Sequence, residues 1–176
     1  MALEEKQSKF KIEPLGPKHN RAAFVCGVEA LDTYLQKQAG QDLKKHAAVP
    51  FVITDDGKTV AGYYTLSQFA VELDEVPTEV AKKLPKYPLV SATLLGRLAV
   101  ASAFRGRKLG EMLLMDALRR SLELSKQVAS AAVIVDAKDD AALSFYKKYG
   151  FLEFPNIQMR MFLPMGTIQQ LFAENE

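Results

Sequence analysis

The sequence predicts a mixed α/β fold (α+β) in a single domain over residues 1–176. Its centre is a mixed, mostly antiparallel twisted sheet of six to seven strands, flanked by about four helices. The length of 176 residues suits one core, and 48% hydrophobic with 25% charged residues is typical of a globular protein. The predicted elements run strand, helix, two or three strands, then strand–helix–strand–helix–strand, which favours one sheet with helices packed on it. Residues 1–8 and 172–176 are expected to be flexible ends.

The first half of the chain predicts an edge strand, a helix and a hairpin. Apolar residues nearly alternate over residues 10–15 before a Gly-Pro turn, which indicates a strand at or near a sheet edge. Apolar residues at three- and four-residue spacing predict a helix over residues 28–45. The β-rich runs 49–54 and 59–69 are separated by Asp-Asp-Gly-Lys and predict an antiparallel hairpin. Residues 77–88, punctuated by prolines, are expected to form a loop or a short helix.

The second half predicts strands that alternate with helices. Residues 92–100 form a predicted buried strand, and residues 109–124 a helix that is apolar around most of its circumference. Residues 128–136 predict another strand, followed by a helix over residues 139–149 that ends at a glycine. Two closing strands are expected at residues 151–154 and 158–163.

Charge and cysteine content limit the classes of function. The net charge of +2 does not by itself indicate a nucleic-acid binder, so the distribution of charge decides. The single cysteine, Cys26, cannot form an internal disulfide, and the N-terminus has no apolar run typical of a signal peptide. We therefore expect a cytoplasmic protein with no membrane-spanning segment. No metal site is expected.

One turn in the sequence has the chemistry of an anion site. The strand over residues 92–100 leads into Phe-Arg-Gly-Arg-Lys-Leu-Gly (104–110), which opens the long helix. Backbone N–H groups at a helix N-terminus have no partner inside the helix, and they favour an anion together with the helix dipole. Gly106 and Gly110 would let phosphates approach the backbone closely. The pattern matches neither the dinucleotide-binding fingerprint nor a P-loop.

In context, this turn resembles the acetyl-CoA signature of the GCN5-related N-acetyltransferases (GNAT), Arg/Gln-x-x-Gly-x-Gly/Ala. Arg105 and Gly110 match it, whereas Lys108 stands where the signature has its first glycine. Residues 141–151, with Phe-Tyr followed by Gly-Phe, resemble the second hallmark of the family. The resemblance implies that acetyl-CoA is the cosubstrate. It also implies a set of cofactor-binding residues: Leu98, Ala99, Val100, Arg105, Gly106, Arg107, Lys108, Leu109, Gly110 and Phe145.

The same resemblance makes Tyr146 the candidate general acid, which protonates the departing CoA thiolate. The alternative is that its ring only packs against the cofactor arm. No general base stands out among the candidates Glu72, Asp74, Asp136 and His46, but an α-amino group, with a pKa of about 8, is partly neutral without one. An acyl-Cys26 intermediate is disfavoured because no histidine is near it in sequence. We expect direct transfer from CoA to the amine.

Segments outside the cofactor motifs resemble the tRNA-acetylating toxins of type II toxin–antitoxin pairs. These segments are residues 24–35, 62–67, 95–100, 135–138 and 162–165, and the resemblance extends from about residue 10 to residue 171. It implies an aminoacyl-tRNA substrate acetylated on its α-amine, a block of translation, and a ribbon-helix-helix antitoxin as partner. A homodimer is a further expectation.

Basic residues supply candidate tRNA contacts. The candidates are Arg97, Lys37, Lys44, Lys45 and Lys83. Arg97 is the strongest of them, because a cation within an apolar strand needs an anionic or hydrogen-bonding partner; the alternative is an internal salt bridge. Two other functions stay open: a small-molecule amine acetyltransferase, and a non-catalytic acyl-CoA-binding module disarmed by Lys108 that acts through a protein partner.

Overall fold

The computed structural model describes residues 9–174. Seven strands form one sheet in the order β1-β2-β3-β4-β5-β7-β6. The strands are β1 (Lys11–Pro14), β2 (Val49–Thr54), β3 (Gly62–Glu72), β4 (Leu89–Val100), β5 (Ala132–Asp136), β6 (Leu152–Glu153) and β7 (Arg160–Pro164). β4 pairs with β5 in parallel, whereas β1–β2, β2–β3, β5–β7 and β6–β7 are antiparallel. The predicted mixed, mostly antiparallel sheet is confirmed.

Helices follow in the predicted order, with one addition at the C-terminal end. They are α1 (Glu29–Thr33), a π-helical segment (Tyr34–Gln38), α2 (Ala39–Lys44), α3 (Thr78–Ala81), α4 (Leu109–Leu124), α5 (Asp140–Lys148) and α6 (Met165–Ala173). The first three are consecutive and correspond to the single helix predicted over residues 28–45. Helix α6 was not predicted, and it includes residues 172 and 173 of the expected flexible C-terminal end. Residues 1–8, 175 and 176, which belong to the expected flexible ends, lie outside the described residues.

Two compact units make up the described chain. The first comprises residues 9–67 and 97–117, and the second comprises residues 68–96 and 118–174. Strands β3 and β4 and helix α4 each contribute residues to both units. The organisation as a single domain stays a prediction.

Aromatic packing in the first unit fixes the helical run 29–44. Tyr63 of β3 is fully buried, and its ring lies 5.3 Å from that of Phe24, edge to face, and 6.2 Å from that of Tyr34, stacked. The Tyr63 hydroxyl donates a hydrogen bond to the carbonyl oxygen of Leu31 at 2.7 Å, so its polar end is satisfied within the core. Burial of these rings positions the π-helical segment.

Local hydrogen bonds explain where several elements begin. In the hairpin between β2 and β3, Asp56 Oδ1 accepts from the N–H groups of Lys58 and Thr59 at 2.8 and 2.7 Å. Hydrogen bonds from Thr59 and from these amides hold the pKa of Asp56 well below its usual range. In the second unit, the Asp139 carboxylate accepts from Ala142 N at 2.8 Å and caps the start of α5. These are the turn and the helix start that the sequence pattern predicted.

Candidate functional site

The turn over residues 105–108 contains two residues in the left-handed region, Gly106 and Lys108. A 3₁₀ turn (Ser102–Phe104) precedes it, and Gly106 has a φ of 79°. A Cβ added at Gly106 would meet nothing within 4 Å, so backbone conformation rather than space accounts for the glycine. Lys108, at the position where the signature has glycine, also takes a left-handed φ of 59°. The lysine therefore occupies a backbone conformation that favours glycine, at a conformational cost.

Unpaired main-chain donors accompany this geometry. Within residues 9–174, the N–H groups of Gly106, Arg107 and Lys108 donate no hydrogen bond. The 16-residue helix α4 begins directly after them, and its first N–H groups have no partner inside the helix. Successive free N–H groups in a left-handed turn form a concave anion site, which the helix dipole strengthens. The side chains of Arg107 and Lys108 are exposed and add positive charge.

Five of the other predicted cofactor-binding residues flank this turn in sequence, whereas Phe145 lies on α5 in the second unit. Leu98, Ala99 and Val100 are the last residues of β4, and Ala99 is buried. Leu109, the first residue of α4, is buried as well. The guanidinium of Arg105, which was predicted to contact the cofactor, donates a hydrogen bond from Nη2 to the backbone carbonyl oxygen of Cys26 at 2.6 Å.

Tyr146 is buried on α5 in the second unit. Its ring packs edge to face against Phe145 and Phe151, each at 5.3 Å between centroids. Burial raises the pKa of Tyr146 to about 12. The Tyr146 hydroxyl has no hydrogen-bond partner among the described residues, and no side-chain oxygen of those residues is both fully buried and without a partner. The hydroxyl oxygen therefore keeps some solvent exposure, although the ring is enclosed.

The general-base candidates differ in their surroundings. Asp136 accepts a hydrogen bond from Arg160 Nε at 2.8 Å, which ties its carboxylate into a structural ion pair. Glu72 and Asp74 line an open cleft in the second unit. His46 is exposed, with a φ of 58°, at the turn after α2. The structure does not single out a base among these four.

A second candidate site in the first unit surrounds Arg97. Its guanidinium lies 3.5 Å from the ring centroid of Tyr34, a close cation–π stack. Among the described residues it pairs with no carboxylate, so the internal salt bridge considered for it is not present. The two side chains line an open cleft of about 570 Å³. The other lining residues are Glu29, Ala30, Leu31, Thr33, Lys37 and Gln38.

Tyr34 is fixed from the opposite side of this stack. Its hydroxyl donates to Asp42 at 2.9 Å, and Gln38 donates to the same carboxylate at 3.0 Å. Burial, together with the bond to Asp42, raises the pKa of Tyr34 to about 12. The phenol ring is thus a neutral, fixed platform for the guanidinium. Periodicity did not reveal this role, because Tyr34 lies in the π-helical segment, a feature frequent at functional sites.

The predicted tRNA-contacting lysines separate into groups. Lys37 lines the cleft with Arg97, and exposed Lys44 and Lys45 lie farther along the same helical run. Lys83 is exposed in the second unit, after α3. The first unit thus brings together Arg97 and Lys37.

Residues 9–174 contain no cluster of three or more His, Cys, Asp or Glu side chains suited to a metal ion. In the same part of the chain, no helix is long and apolar enough to cross a membrane.

Comparison with known proteins decides the family. The model of a family described as "Acetyltransferase (GNAT) domain" matches residues 46–153. The chain belongs to the GNAT family. It is an acetyl-CoA-dependent N-acetyltransferase, as the two sequence hallmarks predicted.

Relatives of this GNAT protein cover nearly its full length. The "Probable toxin TacT" of Sinorhizobium fredii (strain NBRC 101917 / NGR234) is 32% identical over 175 residues, 94% of this chain and 97% of its own. A "tRNA-acetylating toxin" of Mycobacterium tuberculosis (strain ATCC 25618 / H37Rv) is 32% identical over 152 residues, 86% and 90% of the two chains. The predicted resemblance to such toxins is confirmed.

Solved structures agree with the fold. AtaT complexed with acetyl-methionyl-tRNAfMet has a TM-score of 0.85 and 27% identity, and covers 93% of this chain and 99% of that one. A tyrosine-to-phenylalanine mutant of AtaT, bound to the C-terminus of the antitoxin AtaR and acetyl-CoA, has a TM-score of 0.79. Its alignment covers 94% of this chain and 99% of that one at 23% identity, a likeness that shows the fold alone.

Proposed function

We propose that this GNAT enzyme transfers the acetyl group of acetyl-CoA to the α-amine of an aminoacyl-tRNA, and thereby blocks translation. The observation that carries the tRNA proposal is the Arg97 guanidinium, stacked on Tyr34 in an open cleft with no carboxylate partner among the described residues. A guanidinium held by stacking keeps its N–H fork available to a phosphate. The complex of AtaT with an acetylated aminoacyl-tRNA supports the same class of substrate.

The turn after β4 is the proposed site for the CoA diphosphate. The free N–H groups of Gly106, Arg107 and Lys108 fit a diphosphate, and the exposed Arg107 and Lys108 side chains add charge. Leu98, Ala99 and Val100 are proposed to present backbone groups to the pantetheine arm. Leu109, Gly110 and Phe145 complete the proposed cofactor contacts. The left-handed φ of Lys108 is one that glycine adopts readily, which supports a working turn over a disarmed binding module.

Tyr146 is the proposed proton donor. Acetyl-CoA supplies an activated acetyl thioester, and direct transfer forms the amide bond as the thioester C–S bond breaks. With a pKa of about 12, Tyr146 stays protonated at physiological pH, so its accessible hydroxyl can give a proton to the departing sulfur. The attacking amine loses its proton to solvent or to a nearby base. An α-amine needs little help in this step, because its pKa is about 8.

The charge around the Arg97 cleft supports tRNA over a small polycation. Among the residues that line the cleft, Arg97 and Lys37 carry positive charge and Glu29 carries the one carboxylate, while the Asp42 carboxylate behind Tyr34 is already engaged by Tyr34 and Gln38. A polyamine or aminoglycoside would require an acidic cleft, whereas an acceptor end brings phosphates. Lys44 and Lys45 are exposed farther along the helical run, and Lys83 remains a separate candidate. An antitoxin partner of the ribbon-helix-helix type and a homodimer stay proposals.

The test uses labelled acetyl-CoA and separately charged tRNAs. We expect label on the aminoacyl group of at least one charged tRNA, none on uncharged tRNA, and loss of label with Tyr146→Phe. Protein synthesis in an extract should slow only when acetyl-CoA is present. Label on small amines but on no charged tRNA would end the tRNA proposal. An unchanged block of translation by Tyr146→Phe would instead support the binding-module alternative.

A further inference from the structure

A path of hydrogen bonds in the first unit joins the cofactor turn to the start of α1. Arg105 Nη2 donates to the Cys26 carbonyl oxygen at 2.6 Å, and Ser102 N donates to the Val25 carbonyl oxygen at 2.8 Å. The Cys26 N–H in turn donates to Asp32 Oδ1 of α1 at 2.7 Å. Residues 25 and 26 are therefore held from the turn on one side and from the helix on the other.

Gly27 provides the space that the Arg105 contact needs. Its φ is 91°, a region that side chains rarely adopt, and a Cβ there would lie 3.2 Å from Arg105 Nη2. A side chain at position 27 would strain the backbone and crowd the guanidinium. The close approach of the Arg105 guanidinium to residue 26 therefore requires a glycine at position 27.

The helical run that starts beside this contact carries the Arg97 cleft. Glu29 is the first residue of α1, and Tyr34 and Lys37 follow in the π-helical segment. All three line the cleft. Because Asp32 ties residue 26 to α1, displacement of residues 25–28 would move the start of this run.

We propose that Arg105 is a positioning residue that couples the turn over residues 105–108 to the Arg97 cleft. When the turn is fixed by a diphosphate, Arg105 holds residues 25–28, and α1 presents the cleft in one position. The inference rests on the acetyl-CoA site proposed above. Coupling of this kind is reciprocal, so an occupied cleft would also strengthen binding at the turn.

Cys26 gives a direct readout of the coupling. It is the only cysteine of the chain and is 5% exposed, so its alkylation by iodoacetamide requires local opening of residues 25–28. Acetyl-CoA has no free thiol and does not consume the reagent. In the wild-type protein, saturating acetyl-CoA should slow alkylation about tenfold, which corresponds to about 1.4 kcal/mol of added local stability.

Two substitutions should remove this protection. Arg105→Gln loses the contact with Cys26, and Gly27→Ala crowds it. In both variants, alkylation should be faster without ligand and nearly insensitive to acetyl-CoA. Arg105→Lys keeps the charge but loses the guanidinium fork, so intermediate protection is expected. It also serves as the second variant if Arg105→Gln unfolds, which circular dichroism would show.

Arg107→Gln is the matched control in the same turn. The Arg107 guanidinium lies 5.1 Å from the Phe104 ring centroid, and it makes no described contact with residues 25–28. This variant should bind acetyl-CoA more weakly and yet show full protection once saturated, with saturation verified by calorimetry. With charged tRNA as acceptor, Arg105→Gln should raise the acceptor KM more than Arg107→Gln does.

The outcomes separate this inference from the proposed site. Acetyl-CoA binding without protection of wild-type Cys26, or protection in Arg105→Gln equal to wild type, would overturn the coupling and leave the site intact. Absence of acetyl-CoA binding to the wild-type protein in the calorimeter would overturn both.

Discussion

Replacing Lys108 with glycine should stabilise the protein, because the lysine occupies a backbone conformation that suits glycine. Its φ of 59° lies in the left-handed region, which costs a residue with a Cβ roughly 1–2 kcal/mol. Glycine avoids this cost, although the greater freedom of its unfolded chain opposes the gain by about 0.5–1 kcal/mol. We expect the free energy of unfolding to rise by about 0.5–1 kcal/mol, which raises the melting midpoint by roughly 1–4 °C.

Two variants isolate the backbone effect. Lys108→Ala keeps the Cβ and loses only the long side chain, so it should gain no stability. Gly106→Ala should lose about 1–2 kcal/mol through backbone strain alone, since φ is 79° and its added Cβ has open space. Unfolding in urea, followed by far-UV circular dichroism because the chain has no tryptophan, measures all three.

Acetyl-CoA titration separates strain from charge at the same position. Lys108→Ala and Lys108→Gly both lose the ammonium group, so each should weaken acetyl-CoA binding by a similar factor of about two to five. Equal stability of the Gly and Ala variants would refute the strain argument. Much tighter binding by Lys108→Gly would show instead that the lysine side chain obstructs the turn.

Three further predictions follow from the site. Tyr146→Phe should lower kcat by about 10²–10⁴ while the Kd of acetyl-CoA in calorimetry stays unchanged; a loss below tenfold would contradict the proton-donor role. Arg97→Leu should raise the KM for charged tRNA at least about tenfold, and Arg97→Lys should recover only part of it, since a charged hydrogen bond is worth about 1.5–3 kcal/mol. Lys58→Ala, in the hairpin turn, is the matched surface control; an equal effect there would remove the special role of Arg97. Finally, the folded protein holds Tyr34 and Tyr146 in the neutral form up to a pKa of about 12, whereas in the unfolded chain a tyrosine ionises near about pH 10. The contribution of these two groups to the free energy of unfolding is therefore complete below about pH 10 and is lost as pH rises toward 12. Urea midpoints against pH test this, and ionisation of all tyrosines near pH 10 in the folded protein would contradict it.

Features that depend on neighbours in sequence were predictable. The turn at residues 104–110 was identified because glycines and a helix start lie within a few residues of each other, and left-handed geometry follows from local chemistry. The helix over residues 139–149 was found for the same reason: Asp139 caps its start and Gly150, with a φ of 94°, follows its end. Helix α6 was missed, because the preceding residues continue a strand pattern through Pro164 and leave a short nine-residue helix with a glycine near its start.

By itself, the sequence determined the family, the order of the strands and of the helices before α6, and the two motifs proposed to serve acetyl transfer. Only the tertiary structure decided what the guanidinium groups of Arg97 and Arg105 contact. Arg97 stacks on Tyr34, and Arg105 holds the Cys26 carbonyl 79 positions away; neither pairing leaves a periodic signal. The π-helical segment that presents Tyr34 is likewise set by packing against Tyr63 rather than by helix propensity. Local propensities are encoded in adjacent residues, whereas a contact across the fold depends on the backbone that all the other residues build.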